Sequence, residues 1–306
     1  MAAGMHAQEW ITTSSACWIV HQLLHGCGPS GTAPTTGSKP ASPASWRQRT
    51  AEHFEWHVFP NVNPDGYEYS FMTVQENCQT APPTDAGVYS TTRVLRDYPH
   101  LTHLTAGSST TRHPCARNFP GRAPLSEPET RALADYVRAL RPSLKVYISL
   151  HSSKQMILFP WGCCTEPSAD HDELMEIGTR AANALERVHG TKFVVGPIST
   201  TIYMAPGNSV DWAYSIGIKY AFAMELRNPV QAERYVRASA IVDTGEETFE
   251  AIITILAEVA GRLGSGGGQP SGQPQQRAPR PQRPRAPKPS RRRKLHANGS
   301  TNVTVG

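Results

Sequence analysis

Four side chains in this sequence have the types and spacing to do chemistry. His6 and Glu9 stand three apart in "GMHAQEW" (4–10), His151 directly follows the apolar run "VYISL", and Glu225 lies inside "YAFAMEL". Two imidazoles and one carboxylate form the ligand set of a catalytic zinc with an open fourth position. A further carboxylate beside such a metal would serve as general base for a hydrolytic water. Each residue also has a plainer reading. His6 and Glu9 fit an ordinary polar turn, and His151 fits a strand-end histidine bonded to backbone. Burying Glu225 without a partner costs several kcal/mol. Arg227, two residues on and so on the same strand face, is the candidate for a structural pair. The residues alone leave both readings of Glu225 open.

Helices and strands alternate along the chain, which predicts an α/β layered domain. Residues 10–25 read as a helix with Ala16, Val20 and Leu23 on one face, closing at Gly26. The Gly/Pro/Ser/Thr-rich stretch 28–50 reads as a loop. "FEWHVFPNV" reads as a strand, with "NPDGY" as the turn after it. Ser126 with Glu129 predicts a capping box ahead of Leu133, Val137 and Leu140; Thr244 with Glu247 predicts another ahead of Ile252, Leu256, Val259 and Leu263. Leu174, Ile177, Ala181, Leu185 and Val188 mark a helix that ends near Gly190. "VYISL" (146–150) and "YAFAMEL" (220–226) read as buried strands, so His151 falls at the carboxyl end of one of them, where α/β sheets place ligands. Residues 71–113 show no sustained period, and so long a loop is unusual inside a domain.

Composition narrows the function classes. Nine of the 30 basic residues lie after Gly264, in a Pro/Gly/Gln/Arg-rich segment with no Asp or Glu; the remaining 21 face 25 acidic residues. The basic pI belongs to this tail, expected to be disordered, and the folded part is mildly acidic, which argues against nucleic-acid binding. "RRRK" in the tail also fits a nuclear signal or a polyanion patch, but a solvated tail is the simpler reading. Asn298 and Asn302 fit the glycosylation acceptor pattern. No run is long and apolar enough to span a membrane. A motif within a few residues of Met1 leaves no room for a signal peptide, and six cysteines do not fix the redox compartment.

Five blocks make the sequence resemble a zinc metallocarboxypeptidase of the digestive A/B type: "GMHAQEWIT", "PNVNPDGYEYS", "SEPETRALADYV", "YISLHSSKQMILFPWG" and "TIYMAPGNSVDWAYSIGIKYAFAMELR". With the closing helix they cover most of residues 4–263. The resemblance implies a mixed, mostly buried sheet flanked by helices, a secreted setting, a monomer, and removal of residues from peptide or protein C-termini. It carries over His6, Glu9 and His151 as ligands of one zinc ion and Glu225 as general base. It assigns Tyr203 to closing over the substrate's terminal carboxylate and Val210 to the base of the specificity pocket. A valine there offers no partner to a buried cation, so an A-type preference for apolar or aromatic C-terminal residues is expected.

The sequence also departs from the family. The strands that precede the zinc motif, including the one that delivers it, are expected to be missing. The stretch from about Phe71 to Arg112 replaces a segment carrying an arginine that polarises the scissile carbonyl. The same segment carries an Asp-x-Asn-Arg block, whose Asn-Arg grips the terminal carboxylate and whose aspartate orients a zinc-ligand histidine. "CARNF" (115–119) is not that block: Cys115 aligns with a family cysteine beyond it, which makes Arg117 a loop residue. Gln8 stands where many members have an arginine, and a neutral amide forms no charge-assisted fork with a carboxylate. The expected domain is therefore residues 1–263 with an irregular replacement over 71–112, followed by the tail 264–306. The abrupt start and the irregular join read as an incomplete gene model. An enzyme weakened or inactive as it stands is expected, the alternative being a non-catalytic peptide-binding or decoy protein.

Overall fold

The computed structural model describes residues 1–25, 46–72, 123–227 and 237–265. Most of the irregular 71–112 stretch, "CARNF" and nearly all of the basic tail lie outside these residues. The frame is a mixed four-stranded sheet of order β1-β4-β2-β3, with β1 Val146–Ser152, β2 Met156–Phe159, β3 Val194–Pro197 and β4 Tyr220–Leu226. β1 runs parallel to β4 and β2 parallel to β3, whereas β2 and β4 are antiparallel. Two of the three strands read from the sequence are present, β1 running on to include His151. The four-residue strands β2 and β3 gave too short a signal for periodicity to register.

Residues 1–5 extend the sheet on the far side of β1. Ala2 bridges Ser149 on one flank and Phe59 on the other, through Ala2 N to Ile148 O (2.9 Å), Leu150 N to Ala2 O (2.8 Å) and Ala3 N to Phe59 O (2.8 Å). Where a delivering strand was expected to be missing, a short bridged segment brings the chain to His6. Gly4 then turns it with φ +65, and a Cβ there would stand 2.7 Å from Asn61 Oδ1 and 2.8 Å from Thr13 Oγ1. Only glycine meets both demands.

The helices are α1 Trp10–His25, α2 Trp46–Glu52, α3 Pro64–Met72, α4 Pro128–Leu140, α5 His171–His189, α6 Ile198–Thr201, α7 Ser209–Ser215 and α8 Ile241–Ser265. Several expectations are corrected. α1 buries Ile11, Thr12, Ser15, Ala16 and Ile19, not Val20 and Leu23: its buried stripe is rotated because α1 packs on α8. "FEWHVFPNV" is extended but joins the sheet only through the Phe59 bridge. "NPDGY" is a helix start, with Asn63 Oδ1 accepting Gly66 N at 2.9 Å and Pro64 at the first helical position, a site where its missing N–H does no harm. Residues 46–50, read as loop, are helical.

Neither capping box forms. α4 starts at Pro128 with no side-chain cap, and Ser126 Oγ instead donates to Glu127 at 2.9 Å. α8 starts at Ile241, so Thr244 and Glu247 lie inside it. α5 follows its predicted pattern: Leu174, Ile177, Ala181 and Leu185 are buried, and Gly190 closes it with φ +74.

Alternation along the strands separates two faces. Phe222, Met224 and Ile157 face the helical layer, as the approach of Phe222 and Ile157 to Gly178 of α5 shows. Ser149, His151, Leu158, Ala223 and Glu225 share the other face, and that face carries the site.

Candidate metal centre

His6 and Glu9 sit on the turn between the bridged segment and α1. Glu9 N donates to His6 O at 3.2 Å, and Thr12 N donates to Glu9 O at 2.9 Å, so the turn is locked by the helix start. His151 arrives from the end of β1 and is 4% exposed. The three side chains converge: His6 Nδ1 lies 2.5 Å from Glu9 Oε1, while His151 Nδ1 lies 3.3 Å from both His6 Nδ1 and Glu9 Oε2. One ligating atom from each falls within 4.8 Å of the others. Burial raises the Glu9 carboxyl, but the charges of His6 and His151 and their hydrogen bonds outweigh it and hold the group at about 2. A carboxylate kept ionised among inward-turned imidazole nitrogens is a donor set suited to a zinc ion.

The two histidines are supported unequally. His151 Nε2 lies 2.8 Å from Ser149 Oγ, which in turn donates to Met5 Sδ at 3.6 Å. With Nδ1 as the ligating atom, Nε2–H donates to that hydroxyl and fixes the tautomer. His6 Nε2 is buried and has no hydrogen-bond partner among the described residues, whereas the buried Glu9 Oε2 has the 3.3 Å approach of His151 Nδ1. Gln8 is exposed beside the turn.

Glu225 is the register partner of His151 across the parallel β1/β4 pair, so the two side chains lie side by side on one face. Burial first, and then the charge of Glu9, push its carboxyl up to about 7 against the pull of His151 and Lys154. The alternative left open by the sequence is resolved against Arg227. That guanidinium grips Glu247 of α8 through Nε–Oε1 and Nη2–Oε2, both 2.7 Å. Among the described residues Glu225 has no hydrogen-bond or ion-pair partner. Glu247 was masked in the sequence by its resemblance to a capping-box residue, and its partner is 20 positions away.

One cavity is lined by His6, His151, Glu225, Tyr203 and Val210 together with Leu158 and Ala223. Tyr203, 51% exposed, stands on the loop between α6 and α7; Val210, 2% exposed, sits in the first turn of α7. The structure therefore brings five of the six site residues singled out from the sequence around one space, and Glu9 reaches it behind the two histidines it contacts. Sequence reading missed what holds the pocket wall. Asn208 caps α7, accepting Asp211 N at 2.8 Å and donating to Ala205 O at 2.8 Å. Asp211, fully buried, accepts Gly162 N at 2.8 and 3.0 Å and Cys163 N at 2.9 Å. Burial pushes its carboxyl up to about 6, against the lowering effect of those backbone donors and of the Asn208 and Cys163 side chains. The cap was legible in "GNSVD"; the long-range grip on Gly162 was not. A second group, His189, Asp243 and Glu246, lies where α5 ends and α8 begins, and is engaged in ion pairs, His189 with Glu246 at 2.8 Å and Asp243 with Arg227 at 3.8 Å.

The family model for zinc carboxypeptidases matches residues 1–251. A zinc carboxypeptidase from Simulium vittatum is 34% identical over 86% of this chain and 80% of its own length. Carboxypeptidase A2 of Rattus norvegicus is also 34% identical, over 84% of this chain but only 57% of its own length. The chain thus spans little more than half of its mammalian carboxypeptidase A relatives. Among solved structures, bovine thrombin-activatable fibrinolysis inhibitor, in complex with tick carboxypeptidase inhibitor, superposes with a TM-score of 0.69 at 28% identity, over 86% of this chain and 82% of that one. Carboxypeptidase A from Helicoverpa armigera, at 23% identity, shares the fold with a TM-score of 0.66, over 85% of this chain and 60% of that one.

Proposed function

This chain belongs to the zinc carboxypeptidase family, and from that premise we propose that it hydrolyses the last peptide bond of peptides and proteins, with a preference for apolar or aromatic C-terminal residues. What carries the reading is the convergence of His6, Glu9 and His151 on one point, beside the unpaired Glu225, in a cavity floored by Val210. His6, Glu9 and His151 would hold the zinc, whose contribution when bound is to polarise the scissile carbonyl and make water acidic. Glu225 accepts the proton of the attacking water and delivers it to the departing amine, a role suited to a carboxyl raised toward neutrality. Tyr203, exposed on its loop, closes over the terminal carboxylate, and Val210 leaves an apolar floor for the side chain being removed. No helix among the described residues is long and apolar enough to cross a membrane. An extracellular working place, a monomeric state and a catalytic domain over residues 1–263 followed by a basic tail belong to the same proposal.

A second reading, a carboxypeptidase-like peptide-binding protein with impaired catalysis, draws on one observation: His6 Nε2 is buried with no partner among the described residues. A metal ligand without its outer hydrogen bond binds metal about 10- to 100-fold more weakly. Incubation of the zinc-loaded full chain with blocked dipeptides ending in Phe or Lys separates the two. The enzyme releases free Phe faster than Lys. Stoichiometric zinc and saturable peptide binding without any released amino acid would leave only the binding protein.

A further inference from the structure

The turn after β2 carries a feature that the hydrolytic reading does not use. Cys163 and Cys164 are adjacent in "FPWGCCTE", and their sulfurs lie 2.9 Å apart. Both are free thiols, Cys163 buried and Cys164 partly exposed beside the exposed residues 165–167. The turn that holds them is tied into the pocket wall on every side. Ser199 N donates to Trp161 O at 2.9 Å, Ser199 Oγ to Cys164 O at 2.6 Å, and Ala205 N to Gly162 O at 2.7 Å. Asp211, next to Val210, receives the amides of Gly162 and Cys163. The backbone of this turn is therefore shared with α6, through Gly162 with the loop that bears Tyr203, and with the helix that bears Val210.

We propose that Cys163 and Cys164 form a vicinal dithiol site that exchanges with small-molecule disulfides, closing to a ring disulfide that reshapes the peptide pocket. The accessible Cys164, as thiolate, attacks one sulfur of the small disulfide, breaks its S–S bond and releases one small thiolate. Cys163 gives up its proton to solvent and attacks the Cys164 sulfur of the mixed disulfide, expelling the second small thiolate. Two protein thiols are oxidised and one small disulfide is reduced to two thiols. The order follows from the surroundings: the hydrogen bond to Cys164, burial and the neighbouring Asp211 all push the Cys163 thiol up, which leaves it the resolving partner.

Adjacent residues hold their Cα atoms ~3.8 Å apart across a trans peptide, below the ~4.4–6.8 Å usual for disulfides. The closed ring is strained and so readily reduced, the property of exchangeable disulfides and not of structural ones. Closing it changes the backbone torsions at both cysteines, so the flanking peptide units tilt, and the amide of Cys163 and the carbonyl of Cys164 leave their present partners, Asp211 and Ser199.

The pocket consequence rests on the function proposed above; the ring itself does not. The test equilibrates the full zinc-loaded chain in glutathione buffers from reducing to oxidising, alkylates free thiols, and maps the peptide containing residues 163 and 164. At oxidising poise that peptide is expected two hydrogens lighter and unalkylated, reverting with dithiothreitol, whereas Cys164→Ser carries an alkylated Cys163 throughout. In the same samples KM for a Phe-ending dipeptide changes about fivefold or more, and the double variant Cys163→Ser/Cys164→Ser shows no change. If the chain hydrolyses nothing, anisotropy of a fluorescent Phe-ending peptide reads the same shift as affinity. Full alkylation of both cysteines at every poise, or disulfides from either one to other cysteines only, overturns the site. A ring that forms without moving KM or affinity overturns its coupling to the pocket.

Discussion

The two halves of the cleft are built to different standards. On the pocket side each polar group is answered: Asp211 accepts two backbone amides, Asn208 caps α7 and reaches Ala205, and Ser199 ties down Trp161 and Cys164. On the metal side His151 is steadied by Ser149, but His6 Nε2 is buried without a hydrogen bond among the described residues, and Glu9 Oε2 meets the imidazole of His151 at 3.3 Å. The pocket wall is thus fixed by its own contacts, while the ligand triad holds donors whose orientation depends on what they bind. A buried polar atom left unanswered costs about 1–3 kcal/mol, an expense that a cation held by His6 Nδ1 does not offset at His6 Nε2.

The contrast makes ordered predictions. Glu225→Gln should slow release of Phe from a blocked dipeptide by about 10²–10⁴-fold while one zinc per chain is retained, as read by kinetics beside metal analysis. Loss of zinc in this variant would make Glu225 part of the ligand set instead. On the pocket side, Asp211→Asn tests whether the wall is held by a buried acid. Its folded pKa of about 6 stands above the 3.8 of the exposed group, so native Asp211 binds the extra proton. Its contribution is full below about pH 4 and is lost as pH rises through 6. The swing is at most about 3 kcal/mol. Urea unfolding at pH 4 and pH 7 should show the wild type losing stability relative to Asp211→Asn across that window; parallel pH profiles would remove the argument.

Ser149→Ala removes the outer hydrogen bond to His151 on the metal side. It should weaken zinc about 10- to 100-fold in a chelator competition, bringing His151 down to the condition of His6. An unchanged affinity would mean that the asymmetry has no energetic content. On the pocket side, Val210→Asp should shift the Phe-over-Lys preference toward Lys by about tenfold or more, with zinc affinity unmoved.

Much of this was legible in sequence because it rests on local or periodic signals. "VYISLH" and "YAFAMEL" announced two buried strands, and adjacency in a parallel sheet then put His151 opposite Glu225. The α5 stripe and Gly190 followed the helical period to its end. What failed was long-range. Arg227 turned to Glu247 on α8 and not to Glu225 on its own strand, because the helix packs across β4 in a way no spacing reveals. Thr244 and Glu247 imitated a cap within a helix that starts three residues earlier than Thr244. Nothing in the local pattern marks Asp211 as buried, because its partner Gly162 comes to meet it from beyond β2's end.

The most direct test of the account is X-ray absorption at the zinc edge on the chain loaded with one equivalent. The prediction is a shell of nitrogen and oxygen at ~2.0–2.2 Å with imidazole scattering behind it, reduced in His6→Ala and in His151→Ala. A sulfur shell near ~2.3 Å, unchanged by either substitution, would put the metal on cysteines and contradict the ligand triad.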